Sequence, residues 1–234
     1  MSLKLGVSWK RIIQWVVITA VVVFVAACFT RLMVWEDNYY REMEGSERDV
    51  VANAVAEKKE EEPLIEEPPT EEEVYEYWVA PDLPRYLSID KLGIYDARIL
   101  QVGINPTGEL ATPNNIFDVG WYESSGKPGS GGTLLIDGHN GGPNVYGVFK
   151  RLPLLENGDI IIIERGDGVI FHYSVVENIS VPLEEADKYM ATALRSPEPG
   201  TESLTLITCT GEWSDLRYTY LSRQFTRALL IWHS

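Results

Sequence analysis

Two cysteines and three histidines are all the thiols and imidazoles in this 234-residue chain, so nucleophilic chemistry has few places to reside. Cys209 ends the apolar run LTLITC, where a strand pattern stops. A thiol used as a nucleophile needs a base or cation beside it and a donor for the developing oxyanion. His139 is the histidine placed for that work. It follows the strand-like TLLID and precedes NGGPNVYG, so it stands at a strand end beside a glycine-rich loop. Strand-end loops on a rigid scaffold are where catalytic side chains tend to be presented, and Gly138 is expected to let the backbone turn there. His172 sits inside VIFHYSV, on the face opposite Phe171 and Tyr173, and reads as surface or groove lining. His233 is penultimate, at an end expected to fray. Two arginines follow the thiol. Arg223 starts a strand that would pair with the one ending at Cys209, whereas Arg217 falls in the connection between them. Asp137 lies two residues before His139, and alternation puts both on one strand face.

The compartment decides what Cys209 means. Lys4, Lys10 and Arg11 precede an apolar run from Ile12 to Phe29, in which Gln14 is the only strongly polar residue. Those 18 residues approach the roughly 20 that cross a bilayer core. Basic residues before the run and acidic ones after it predict a cytoplasmic N-terminus (residues 1–11), a membrane anchor (12–29) and everything else outside. The tetrapeptide Val25-Ala26-Ala27-Cys28 also resembles a lipobox, so a lipid on Cys28 is the second reading of the tether. In either case Cys28 cannot bridge to Cys209. A lone exported thiol is then either buried and inert or kept for its reactivity.

Residues 30–84 read as an acidic stalk. Between Glu36 and Ala80 there are 16 acidic and 4 basic residues, with prolines throughout EKKEEEPLIEEPPTEEE. Like charges and prolines oppose a packed core, although residues 36–60 have few helix breakers. The whole chain carries −15, which excludes nucleic acid as a partner because phosphate binding needs a basic stripe. From about residue 85 short apolar stretches alternate with turn signals: RYLSIDKLGI, DARILQVG, GELATP, GTLLIDGH, DIIIIERGDG, VIFHYSVVENISV, SLTLITC and RALLIW. Asp167-Gly168 marks a hairpin and Asn157-Gly158 a turn. Two helical patches are expected, near Pro113–Phe117 and Leu183–Ala193. Many short strands in about 150 residues predict an all-β barrel or sandwich. No paired His/Cys spacing suggests a metal, and Glu184, Glu185 and Asp187 read as a solvated helix face. No cofactor is called for.

On these residues the domain at 85–234 resembles a sortase, the cysteine transpeptidase of Gram-positive cell surfaces. The family's TLxTC signature stands as Thr205-Leu206-Ile207-Thr208-Cys209, and its strand-Gly-His motif as Leu134 to His139. Gly147-Val148-Phe149, Leu152, Leu155 and Gly158-Asp159 match the continuation, and Gly120-Trp121-Tyr122 with Lys127-Pro128-Gly129 the approach. The resemblance implies an eight-stranded β-barrel with short helices. It makes Cys209 the nucleophile on the threonine carbonyl of an LPXTG-like sorting signal, His139 the general acid and base, and Arg223 the oxyanion or substrate donor. Asp137, Asn140 and Thr208 become candidates for touching substrate. The acyl acceptor would be an amine of a cell-wall precursor or a pilin lysine. Two positions depart from the pattern: Thr210-Gly211 replaces a frequent Gly-Gly, and Asp137 stands where a small or uncharged residue is usual. Gly138-His139-Asn140 resembles the class that handles haem-transport proteins, and the Pro-Gly approach resembles classes E and F. Outside this family, a different exported cysteine acyltransferase and an inactive binding module are the alternatives.

Overall fold

The computed structural model describes Arg31, residues 63–105 and residues 108–234. The expected membrane anchor, Cys28 and most of the stalk lie outside the described residues. Among the described residues no helix is long and apolar enough to cross a membrane.

Eight strands close into one barrel: β1 (Pro84–Ile89), β2 (Ile94–Val102), β3 (Val119–Tyr122), β4 (Thr133–Gly138), β5 (Ile160–Arg165), β6 (Ile170–Pro182), β7 (Ser203–Ser214) and β8 (Thr219–His233). Their order around the wall is β1-β2-β3-β4-β7-β8-β6-β5. Two neighbouring pairs, β2 with β3 and β4 with β7, run parallel, and the others are antiparallel. Closure leaves no strand edge unpaired, so every strand has two partners to fix its register.

Period-two alternation assigns the faces. Leu134 and Ile136, Leu204 and Leu206, Phe171, Tyr173 and Val175, and Ile161 and Ile163 fill the interior. The alternate residues Leu135, Ile207 and Phe225 point outward and are covered by a helix, α2 (Leu183–Ala193), through Tyr189, Met190 and Ala193. The hairpin signal at Asp167-Gly168 joins β5 to β6. Gly168 takes φ +87, and Asp167 Oδ1 accepts from the Val169 N–H.

Three expectations are corrected. GELATP is not a strand, since only Leu110 bridges to Ile104, and the short strand VGWY supplies β3 instead. Residues 113–117 do not form a helix. Asn115 Oδ1 takes the Phe117 N–H in a local turn, and the Asn115 backbone bridges to Ile65. The folded unit also starts earlier than residue 85: it runs from Glu62 to Ser234. Thr70 and Glu73 form a reciprocal capping box that starts a one-turn helix, α1 (Glu71–Tyr75), directly after the prolines. Tyr86 then donates its hydroxyl to Val74 O, Arg85 Nε to Tyr77 O, and Tyr77 its hydroxyl to Ile99 O. Residues 63–83 are thus a strap tied to the barrel by hydrogen bonds, a route that acidic composition does not forbid.

Candidate active site

β4, β7 and β8 lie side by side, and their outward face carries the candidate residues. Asp137 pairs with Ile207 in parallel register, which sets His139 beside Cys209 one strand over. Cys209 is the direct partner of Arg223 across the antiparallel β7–β8 pair. Directly opposed residues share a face, so the Cys209 and Arg223 side chains leave the sheet on the same side. The same alternation that buries Leu135, Ile207 and Phe225 under α2 carries on to Asp137, Cys209 and Arg223 beyond the helix.

Burial pushes the Cys209 thiol up. The Arg223 charge pulls it back down, while the carboxylates of Asp137 and Glu109 add to the rise. Arg223 is held by its own hairpin. Its Nη1 donates to Tyr220 O (3.0 Å) and Ser222 O (3.1 Å), and its Nη2 to Thr219 Oγ1 (3.2 Å). A guanidinium has five N–H donors, so three bonds to protein leave capacity for a bound peptide or oxyanion. Arg217 is turned elsewhere and pairs with Glu184 on α2 at 2.7 Å.

His139 is set by close backbone packing. Phe149 N–H donates to His139 O (2.9 Å) and Gly147 N–H to Asn140 O (2.8 Å). A Cβ on Gly147 would sit 2.4 Å from His139 O, so only glycine allows this approach. Gly138 is required for a different reason from the turn expected of it: a Cβ there would lie 2.6 Å from the Phe149 ring. The imidazole Nε2 lies 2.8 Å from the carbonyl oxygen of Pro113.

The residues expected to touch substrate are mostly engaged with protein. Thr208 is 1% exposed and donates its hydroxyl to Gly138 O at 2.7 Å, stitching β7 to β4 beneath the site. Asn140 is buried and its Nδ2 donates to Cys209 O at 2.6 Å, bracing the Cys209 backbone. Asp137 is partly buried and accepts from Thr112 Oγ1 at 2.5 Å. Burial pushes its carboxyl up, against the opposing pull of Thr112, His139 and Arg223. Of the Thr210-Gly211 pair, the retained glycine is the one the backbone needs: Gly211 takes φ +84 where the β7–β8 register slips, a bulge just past the thiol. His172 is remote from the site and stacks on Trp232 with ring centroids 3.7 Å apart; His233 lies in β8 against Phe171 and is not frayed. Sequence reading missed Thr112, Pro113 and Glu109. They lie in the long connection from β2 to β3, where no periodic pattern announces them.

No curated protein matches the chain. Solved structures that it resembles include the SrtA sortase from Actinomyces oris, at 20% identity over 75% of this chain and 88% of that one, with a TM-score of 0.47. A Clostridium perfringens Sortase D5 transpeptidase matches at 25% identity over 70% and 90%, with a TM-score of 0.46. Streptococcus pneumoniae Sortase C matches at 18% identity over 73% and 79%, with a TM-score of 0.49. The family model for the Sortase domain matches residues 87–230, a span that takes in β2 to β7 whole, the second half of β1, most of β8, and Cys209, His139 and Arg223. The chain therefore belongs to the sortase family.

Proposed function

We propose that this protein is a membrane-tethered cysteine transpeptidase that cleaves an LPXTG-like sorting signal after its threonine and passes the acyl group to an amine. The reading rests above all on Cys209 standing opposite Arg223 on β8 and beside the His139 position on β4.

The Cys209 thiol passes its proton to His139 as Sγ attacks the threonine carbonyl carbon, and the carbonyl oxygen gains the electron pair and negative charge. Arg223 offers that oxyanion donors already ordered by Tyr220, Ser222 and Thr219, so little reorganisation is required at the moment of reaction. As the C–N bond breaks, the His139 nitrogen not bonded to Pro113 delivers a proton to the leaving amine. The product is a thioester on Cys209. An incoming amine then attacks the same carbon and gives its proton to His139, and as the C–S bond breaks the departing sulfur takes that proton from His139 and the thiol is regenerated. Splitting the acyl transfer this way replaces one difficult step by two easier ones.

The acceptor is an amine of a cell-wall precursor or a pilin lysine. The anchor at residues 12–29 holds the barrel at the outer membrane surface, where exported precursors are also held. Mass spectrometry of the full-length chain with a panel of LPXTG-like peptides and candidate amines tests the reading. A thioacyl adduct on Cys209, lost in Cys209→Ala and discharged by an amine, supports it. Peptide cleavage that persists in a folded Cys209→Ala variant refutes it.

A further inference from the structure

We propose that Thr112 and Asp137 form a clamp that holds His139 in its Nε2–H form, leaving Nδ1 as the atom that gives and takes the proton. The inference rests on the transpeptidase reading only for the use made of that proton.

A backbone carbonyl oxygen can only accept. The contact of 2.8 Å between His139 Nε2 and Pro113 O therefore requires hydrogen on Nε2 in both charge states of the ring. The neutral ring then has its lone pair on Nδ1, and the charged ring has its transferable proton there. Everything depends on where the Pro113 carbonyl is held.

Four contacts hold it. Thr112 Oγ1 donates to Asp137 Oδ2 at 2.5 Å, tying the residue just before the proline to the strand that carries His139. On the other side of Pro113, Ile65 N–H donates to Asn114 O (2.9 Å) and Ile116 N–H to Ile65 O (3.1 Å). Val148 N–H, next to Phe149, donates to Ile116 O (2.9 Å). Proline itself has a fixed φ and keeps Thr112 extended. Room for the loop comes from Gly120, the direct partner of Asp137 on β3. A Cβ at that glycine would lie 3.0 Å from Pro113 Cδ. Asp137, Gly120, Thr112 and Pro113 thus fit together, and this supplies a role for the carboxylate that departs from the family pattern. Asp137 is a positioning residue acting through Thr112 and Pro113.

The test uses the full-length chain labelled with 15N-histidine, with the His139 signals identified by their loss in His139→Gln. The clamp predicts ring shifts of a single Nε2–H tautomer in the parent protein. It predicts a tautomer mixture in Thr112→Val and in Asp137→Ala, and recovery of the single form in Thr112→Ser and Asp137→Asn, which keep the donor and the acceptor. Thioacylation should fall on the order of 10- to 100-fold in kcat with little change in KM for the first two variants, and recover in the second two. An Nδ1–H form or a mixture in the parent protein overturns the clamp, as do unchanged ring spectra in both Thr112→Val and Asp137→Ala. If one of those variants fails to fold, the other decides. A silent peptide panel with the predicted spectra would count against the transpeptidase reading and leave the clamp standing.

Discussion

Replacing Arg223 by alanine should reduce kcat by about 10²–10³, the usual cost of removing one oxyanion donor. Its side chain leaves the sheet on the same side as Cys209 and is held by three acceptors of its own hairpin, so it is ordered before substrate arrives. Lysine should not rescue it. An ammonium is a single point with three donors, and it cannot span Tyr220, Ser222, Thr219 and a substrate oxygen from one position. Arg217 is the internal control. It is nearer to Cys209 in sequence, yet its side chain is half-exposed and paired with an exposed Glu184. Exposed pairs are worth about 0.2–1 kcal/mol, and tenfold in rate needs about 1.4 kcal/mol, so Arg217→Ala should cost less than tenfold. Single-turnover thioacylation of purified variants with matching circular dichroism and Tm reads both numbers. Arg217→Ala proving as damaging as Arg223→Ala would show that the β8 register does not deliver the catalytic cation.

The thiol should respond in opposite directions to its two charged neighbours: Arg223→Ala moves the pH midpoint of Cys209 alkylation by iodoacetamide up, and Asp137→Asn moves it down. Either shift with the wrong sign would mean that the charge does not act on the thiol. A chain beginning at Pro84 rather than Glu62 loses the acceptors of Tyr86, Arg85 and Gly166, together with the Ile65 bridge. At about 1 kcal/mol for each net hydrogen bond, less the entropy released, it should lose on the order of 3 kcal/mol, or roughly 6–12 °C in Tm. Equal thermal melts would show that the strap contributes no stability. Gly147→Ala places a methyl against His139 O and should cost about 1–3 kcal/mol together with activity, read by Tm and thioacylation. A silent substitution would refute that close approach.

What could be read from the chain alone divides along a physical line. Period-two alternation is local, so TLLID, SLTLITC and RALLIW are legible as strands, and β4, β7 and β8 form there. Turn chemistry is local too, and Asp167-Gly168 joined β5 to β6 as expected. The helix Leu183–Ala193 has a run long enough to show itself. GELATP failed because a few alternating residues do not make a strand without a partner to pair with. VGWY was not counted as a strand because its four residues carry too little pattern, and parallel pairing with β2 creates it. The helix expected at 113–117 lost to Asn115, whose side chain caps a local turn, and to Ile65, which pairs from far away in sequence. Residues 63–83 were read through their charge, but charge predicts only the lack of a core of their own. Hydrogen bonds from Tyr77, Tyr86 and Arg85 order them on a surface that already exists.

The same line runs through the site. Cys209 and Arg223 stand opposite each other on β7 and β8, and His139 follows the last residue of β4, so the candidates chosen by type and order in the chain lie on or at the end of neighbouring strands. The groups that hold them are legible only in three dimensions. Thr112 is 25 residues from Asp137, Pro113 is 26 from His139, and Asn140 is 69 from the Cys209 carbonyl it braces. None of these pairs has a spacing rule, because each joins a strand end to a loop that crosses the barrel by its own route. Thr208 and Asn140 show the same limit: their bonds to Gly138 O and Cys209 O join residues far apart in the chain, so that part of their role is invisible in the motif. A nucleophile and its proton carrier can be written into short motifs, but their aim is set by the loops that cross over them. Substitutions of Cys209 or His139 themselves should therefore abolish the reaction outright. Those at Thr112, Asp137 and Gly147 should leave the chemistry possible and degrade its geometry.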